Sequence, residues 1–147
     1  MWQRIQTLYL AISTILIAVV AFGTKAVTVG PEGEVAETVK YMAYIPYAIL
    51  IVLILILDIL ALTTYKIRVF QMRTAMLSAI ITLALQIWLV VDFIANRGTG
   101  LVFRMTAIFP FVSIILNLLA ARAILADEML VESAYRLRSS KRKRLRK

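Results

Sequence analysis

Long apolar runs separated by short polar strings set the pattern of this chain. Residues 5–22 contain no charge, 42–65 carry only Asp58, 74–95 only Asp92, and 105–126 only Arg122. A hydrocarbon layer about 30 Å thick is crossed by about 20 helical residues at 1.5 Å rise each, so every one of these runs is long enough to span it. Four of them leave too little polar surface to cover them in water, and a helix satisfies its own backbone where solvent is absent. The pattern predicts an all-α fold: a four-transmembrane-helix antiparallel bundle over residues 1–138, with spans near 5–22, 42–65, 74–95 and 105–126. Residues 1–4, the following apolar run and Ala21-Phe22-Gly23 also have the order of a secretory signal. The run exceeds the 7–15 residues of such an h-region, so it is read as a retained helix.

The connections are short. Gly30-Pro31-Glu32-Gly33 is a turn signal between the alternating strings 26–29 and 35–39, which fits either a short β-hairpin or an unstructured loop. Arg97-Gly98-Thr99-Gly100 reads as nothing more than an antiparallel return between the third and fourth helices.

Basic residues orient the bundle, because they resist translocation. One side collects Arg4, Lys66, Arg68, Arg73, Arg136, Arg138 and the basic residues of the C-terminus. The other holds Lys25, Lys40, Arg97 and Arg104, offset by Glu32, Glu34 and Glu37. Both termini are therefore expected in the cytoplasm. Tyr41, Tyr44 and Tyr47 at the outer end of the second helix, Tyr65 at its inner end and Trp2 at the inner end of the first helix read as interfacial anchors.

Ionisable groups inside a membrane are costly and are candidates for function. Asp58 and Arg122 lie about 10 Å and about 6 Å from the inner ends of their helices, so both fall in the inner third. An Asp58–Arg122 ion pair locking helix two to helix four is the preferred reading, ahead of a proton-carrying role for Asp58. Asp92, close to the outer boundary, is expected to reach water, Arg97 or Arg104. Ser13, Thr14, Ser78, Thr82, Gln86, Ser113 and Asn117 fall near the midplane. They read as interhelical glue worth about 0.6–2 kcal/mol per bond. A polar path for a proton or solute would require an acid or base at the same depth, and counting along the helices places none there.

Composition narrows the chemistry. The chain is 62% hydrophobic and 17% charged, against about 45–50% and about 25% for a soluble domain. It has no Cys and no His, which removes thiolate and imidazole chemistry and leaves only oxygen ligands for any metal. Asp58 and Asp92 lie at opposite depths and cannot act as an acid pair. The expectation is a protein that is not an enzyme, with no catalytic, metal or cofactor-binding residues and no cofactor.

The net charge of +9 is largely a property of the C-terminus. Helix four meets no Pro or Gly from 120 to 138, and Glu128, Glu132 and Arg136 follow at four-residue steps. An amphipathic extension to about 138 is expected, lying on the bilayer or against a partner. Six of the nine residues 139–147 are basic: Lys141, Arg142, Lys143, Arg144, Arg146 and Lys147. They read as a disordered polybasic tail that holds the terminus inside and, next, binds anionic lipid. Nucleic acid comes third, since no aromatic residue interleaves the cations.

Two end stretches and one loop carry a family resemblance. The opening MWQRIQTLYL, the closing ARAI with DEMLVESAYRLR, and the loop YKIRVFQMR resemble the domain of unknown function 4293, a family of small four-helix membrane proteins found mainly in Bacteroidetes-type bacteria. The sequence departs from that pattern at Leu125-Ala126, where basic residues are usual, at Tyr135, where Asp is usual, and in a short first outer loop. The resemblance implies four helices in a bacterial inner membrane and implies no activity. Its motif-like residues all fall on the cytoplasmic side: Gln3, Arg4, Gln6, Lys66, Arg68, Gln71, Arg73, Asp127, Glu128, Arg136 and Arg138. They are read as a hydrogen-bonded collar, either a structural clasp or a docking surface. The functional expectation is a noncatalytic membrane subunit or scaffold whose collar and tail bind a protein partner or anionic lipid. The alternative is a small oligomeric transporter or channel using Asp58.

Overall fold

No Gly falls inside the apolar runs, and their two prolines, Pro46 and Pro110, sit in the first turn of their helices where no intrahelical bond is lost, so each run carries one uninterrupted α-helix. A computed structural model describes residues 2–30 and 32–144; the side chains of residues 2–4, 36 and 139–144 lie outside that description. Helix α1 spans Trp2–Phe22, α2 Ile45–Thr63, α3 Arg68–Ala95 and α4 Phe109–Arg144. Strands β1 (Thr24–Val29), β2 (Val35–Lys40) and β3 (Leu101–Phe103) lie in the two connections at the opposite end from the termini. The helices run up, down, up and down, each packed on its two antiparallel neighbours around a square. All four are long and apolar enough to cross a membrane.

Burial supports that medium. Only 28% to 39% of each spanning window is covered by the rest of the chain. The uncovered faces carry Leu8, Ile15, Ile45, Ile80 and Ile115, all exposed. Such a belt is stable against hydrocarbon and costly against water.

The covered faces form three layers. Buried positions step by three and four along each helix, as in Leu10, Ser13, Ile17 and Val20 or Ile51, Ile54, Asp58 and Ala61, the seam of a left-handed bundle. Toward the sheet lie Ile17, Val20, Tyr41, Tyr47, Ile51, Ile54, Leu85 and Leu89. Toward the termini lie Leu10, Ala61, Ala75, Ala120 and Ala121, whose small side chains let the backbones approach. Between them sits a polar layer: Ser13, Asp58, Ser78, Thr82, Ser113 and Asn117, each fully buried.

Several sequence expectations change. The hairpin forms, with Val27 opposite Thr38, and Gly33 takes a φ of +80° in its turn. The third-to-fourth connection is more than a return, because β3 joins the hairpin in the order β2-β1-β3, with Val27 also opposite Val102. Gly100 makes this possible. Its φ is +75°, its carbonyl accepts from the Val29 N–H at 3.0 Å, and a Cβ there would stand 3.2 Å from the Val29 carbonyl oxygen. Helix α3 starts at Arg68, so most of the basic inner loop is helical: polar residues end a span without ending a helix. Helix α4 continues past the expected end at Arg138 to Arg144. Tyr41 and Tyr47 are 0% and 2% exposed and belong to the core, which leaves Tyr44 and Tyr65 as the exposed tyrosines of the expected belt.

Candidate functional site

Each helix contributes to the polar layer because each places hydrophilic residues on its seam: Ser13 on α1, Asp58 on α2, Ser78 and Thr82 on α3, and Ser113 with Asn117 on α4. Ser78 Oγ donates to Asp58 Oδ1 at 2.5 Å, and Asn117 Nδ2 donates to the same oxygen at 3.2 Å and to Ser78 Oγ at 3.2 Å. Ser13 Oγ donates to Asp58 Oδ2 at 3.3 Å and meets Ser113 Oγ at 2.5 Å. Asn117 thus reaches across the diagonal of the square. Its carbonyl Oδ1 is buried with no hydrogen-bond partner.

The expected Asp58–Arg122 ion pair does not form. Arg122 is exposed, and among the described residues Asp58 is in no ion pair. Its three donors are neutral. Counting depth along each helix separately misplaced the acid. Helices α1 and α3 project beyond the inner end of α2, so Asp58 stands level with Ser13, Ser78 and Asn117. The midplane serines and the acid, read apart in the sequence, form one cluster.

Part of the inner collar comes together. Arg68 Nη1 lies 3.1 Å from Asp127 Oδ2 and joins α3 to α4. Gln6 and Gln71 are buried at 5% and 4% exposure, and with Arg68, Tyr65 and Leu62 they line a cleft of about 460 Å³. Gln6 Nε2 has no hydrogen-bond partner. Lys66 and Arg73 are exposed and Glu128 is half-buried. Arg136 bonds Glu132 at 2.9 Å along the surface of α4, and Arg138 is exposed farther on. The side chains of Gln3 and Arg4, and those of Lys141, Arg142, Lys143 and Arg144, lie outside the described residues, as do Arg146 and Lys147 entirely.

At the sheet end the sequence reading missed a cluster. Asp92 pairs with Lys25 of β1, not with Arg97 or Arg104. Tyr47 Oη donates to Asp92 Oδ2 at 3.0 Å, and Asn96 Nδ2 donates to Oδ1 at 2.9 Å. The Lys25 ammonium also stands 4.6 Å from the Tyr47 ring centre and 5.5 Å from that of Phe103. Nearby, Tyr41 Oη lies 3.2 Å from Thr106 Oγ1, which donates to the Thr24 carbonyl at 3.0 Å. Burial pushes the Tyr41 phenol above its ordinary range, and the Thr106 bond offsets part of this. These contacts clasp the sheet onto the bundle. Residues 25 and 92 are joined only by the fold, and the one local signal was a lysine directly before the alternating string 26–29.

The family model described as "Domain of unknown function (DUF4293)" matches residues 2–137. No curated protein and no solved structure matches the chain.

Proposed function

We propose that this chain, which belongs to the DUF4293 family, is a noncatalytic multi-pass protein of a bacterial inner membrane, with both termini cytoplasmic, that serves as a subunit or scaffold. The observation that carries this reading is the course of α4. It leaves the bundle and continues to Arg144 with Met129, Leu130 and Tyr135 exposed among charged residues. An amphipathic helix projecting from one end of a membrane bundle suits a protein partner or the lipid surface. The Arg68–Asp127 pair steadies its root, and the basic residues 141–147 add attraction for anionic lipid at about 1 kcal/mol each. The excess of Lys and Arg at that end supports a cytoplasmic location. The two acids of the spanning segments also lack the pairing that acid–base catalysis requires, since Asp58 and Asp92 belong to separate clusters, each with its own donors.

Topology is tested by thiol labelling, because the native chain has no Cys. In intact cells an impermeant maleimide is expected to modify Glu34→Cys and spare Lys66→Cys; the reverse pattern sinks the orientation. In-cell cross-linking from the α4 extension, followed by purification in mild detergent, tests the scaffold role. A chain that runs alone after cross-linking counts against it.

A transporter or channel reading has one observation in its favour, the central position of Asp58. Ion flux in proteoliposomes that Asp58→Asn abolishes would support it.

A further inference from the structure

Asp58 is a fully buried carboxylate at the centre of a bundle whose outer surface is hydrocarbon-like. No cation of the chain pairs with it among the described residues. Hydrogen bonds from two hydroxyls and one amide supply dipoles but do not cancel a full charge. The oxygens gathered around that charge are of the kind a hard cation takes: both Asp58 carboxylate oxygens and the hydroxyls of Ser13, Ser78 and Ser113, with the Asn117 amide beside them presenting its nitrogen. Neither sulfur nor imidazole is available to it.

The Asn117 carbonyl is a second, independent indication. It is buried on a fully covered side chain and has no donor. Native proteins seldom leave such an acceptor unpaired, and turning the amide over would set Oδ1 in place of Nδ2 beside Asp58 and Ser78, an arrangement of facing oxygens that a bound cation stabilises. Charge selects the valence: one carboxylate neutralises a single positive charge, whereas a divalent ion would leave the centre of the bundle positive. Spacing selects the size. The oxygens are in hydrogen-bond contact at 2.5 to 3.3 Å, so the cluster must open to admit an ion, and it opens less for a small ion than for a large one. Leu62, which lines the inner cleft, lies one helical turn, about 6 Å, beyond Asp58 and brings that cleft close to the cluster.

We propose that the Asp58–Ser13–Ser78–Ser113–Asn117 cluster is a binding site for a small monovalent cation, sodium, held between all four helices. The site is independent of the docking role of α4 and requires no transport.

Thermal unfolding of the purified full chain in detergent tests it, with NaCl replacing choline chloride at constant ionic strength. A ligand that binds only the folded state raises the midpoint logarithmically with its concentration. A rise of at least about 3 °C across the titration is expected in NaCl, with a smaller one in KCl. Asp58→Asn keeps the shape, removes the charge and is expected to abolish the sodium response. Ser113→Ala and Asn117→Ala are expected to shift the response to higher NaCl, which keeps the site testable if Asp58→Asn does not fold. Equal midpoints in the three salts overturn the site, as does a sodium response retained by Asp58→Asn. A midpoint that follows pH and ignores sodium assigns the position to a proton and also overturns it.

Discussion

Ser13 Oγ and Ser113 Oγ lie 2.5 Å apart at the centre of the bundle, although a hundred residues separate them. Ser13 has one hydroxyl proton and directs it at Asp58 Oδ2, so the proton between the two serines belongs to Ser113. The order Ser113 to Ser13 to Asp58 ties α4 to α1 and α1 to α2. Ser113→Ala removes the first donor and leaves the second in place. A loss of about 0.6–2 kcal/mol is expected, the range of single interhelical bonds in bilayers. Reversible unfolding in mixed detergent micelles measures it, and an unchanged stability would show that the link carries no weight.

Asn117 is expected to matter more, because one amide nitrogen serves both Asp58 and Ser78. Asn117→Leu keeps the volume and withdraws that nitrogen from a buried carboxylate, at a cost of roughly 1–3 kcal/mol. In an Asp58→Leu background the same change is expected to cost far less, since removing both partners leaves nothing unsatisfied. Equal costs in the two backgrounds would mean that the bond is not formed in the membrane. The double-mutant cycle also separates loss of the bond from loss of packing.

How much of this was legible in the sequence follows from the range of each interaction. Helix number and order are written in runs of local hydrophobicity, and the structure has both. The hairpin was half legible from its turn residues, but β3 is three residues long and pairs with a strand more than seventy positions away. The polar layer divides the same way. Ser13, Ser78, Ser113 and Asn117 were read as interhelical glue from their depth near the midplane. Asp58 was assigned to another depth because helical rise measures distance along one helix and says nothing of the offset between two. Arg122 looked like its partner by that measure, yet it lies on an exposed face.

Gly100 offers a test of the sheet. Its φ of +75° suits glycine, and an added Cβ would meet the Val29 carbonyl oxygen at 3.2 Å. Gly100→Ala should cost roughly 1–2 kcal/mol at that residue and loosen β3 from β1. Limited proteolysis of the 97–104 connection should quicken, while the helices, which do not depend on that turn, keep their circular dichroism. Unaltered cleavage would count against β3 as an ordered strand.

Lys25 and Asp92 allow a sharper test, because the pair joins the sheet to the bundle and each member has other company. Without the ammonium, Asp92 keeps its donors from Tyr47 and Asn96 but loses its only opposite charge in the cluster. Its side chain is 24% exposed against 9% for Lys25, so water relieves part of the loss. Lys25→Met, which also leaves the rings of Tyr47 and Phe103 without their cation, is expected to cost roughly 1–3 kcal/mol. Asp92→Asn strands the ammonium instead and should cost a similar amount. The double variant, which buries no unpaired charge, should be more stable than either single one, as read from midpoints in the same detergent. If the two losses simply add, the contact contributes nothing as a pair and the sheet is held by Tyr41, Thr106 and the β1–β3 register alone.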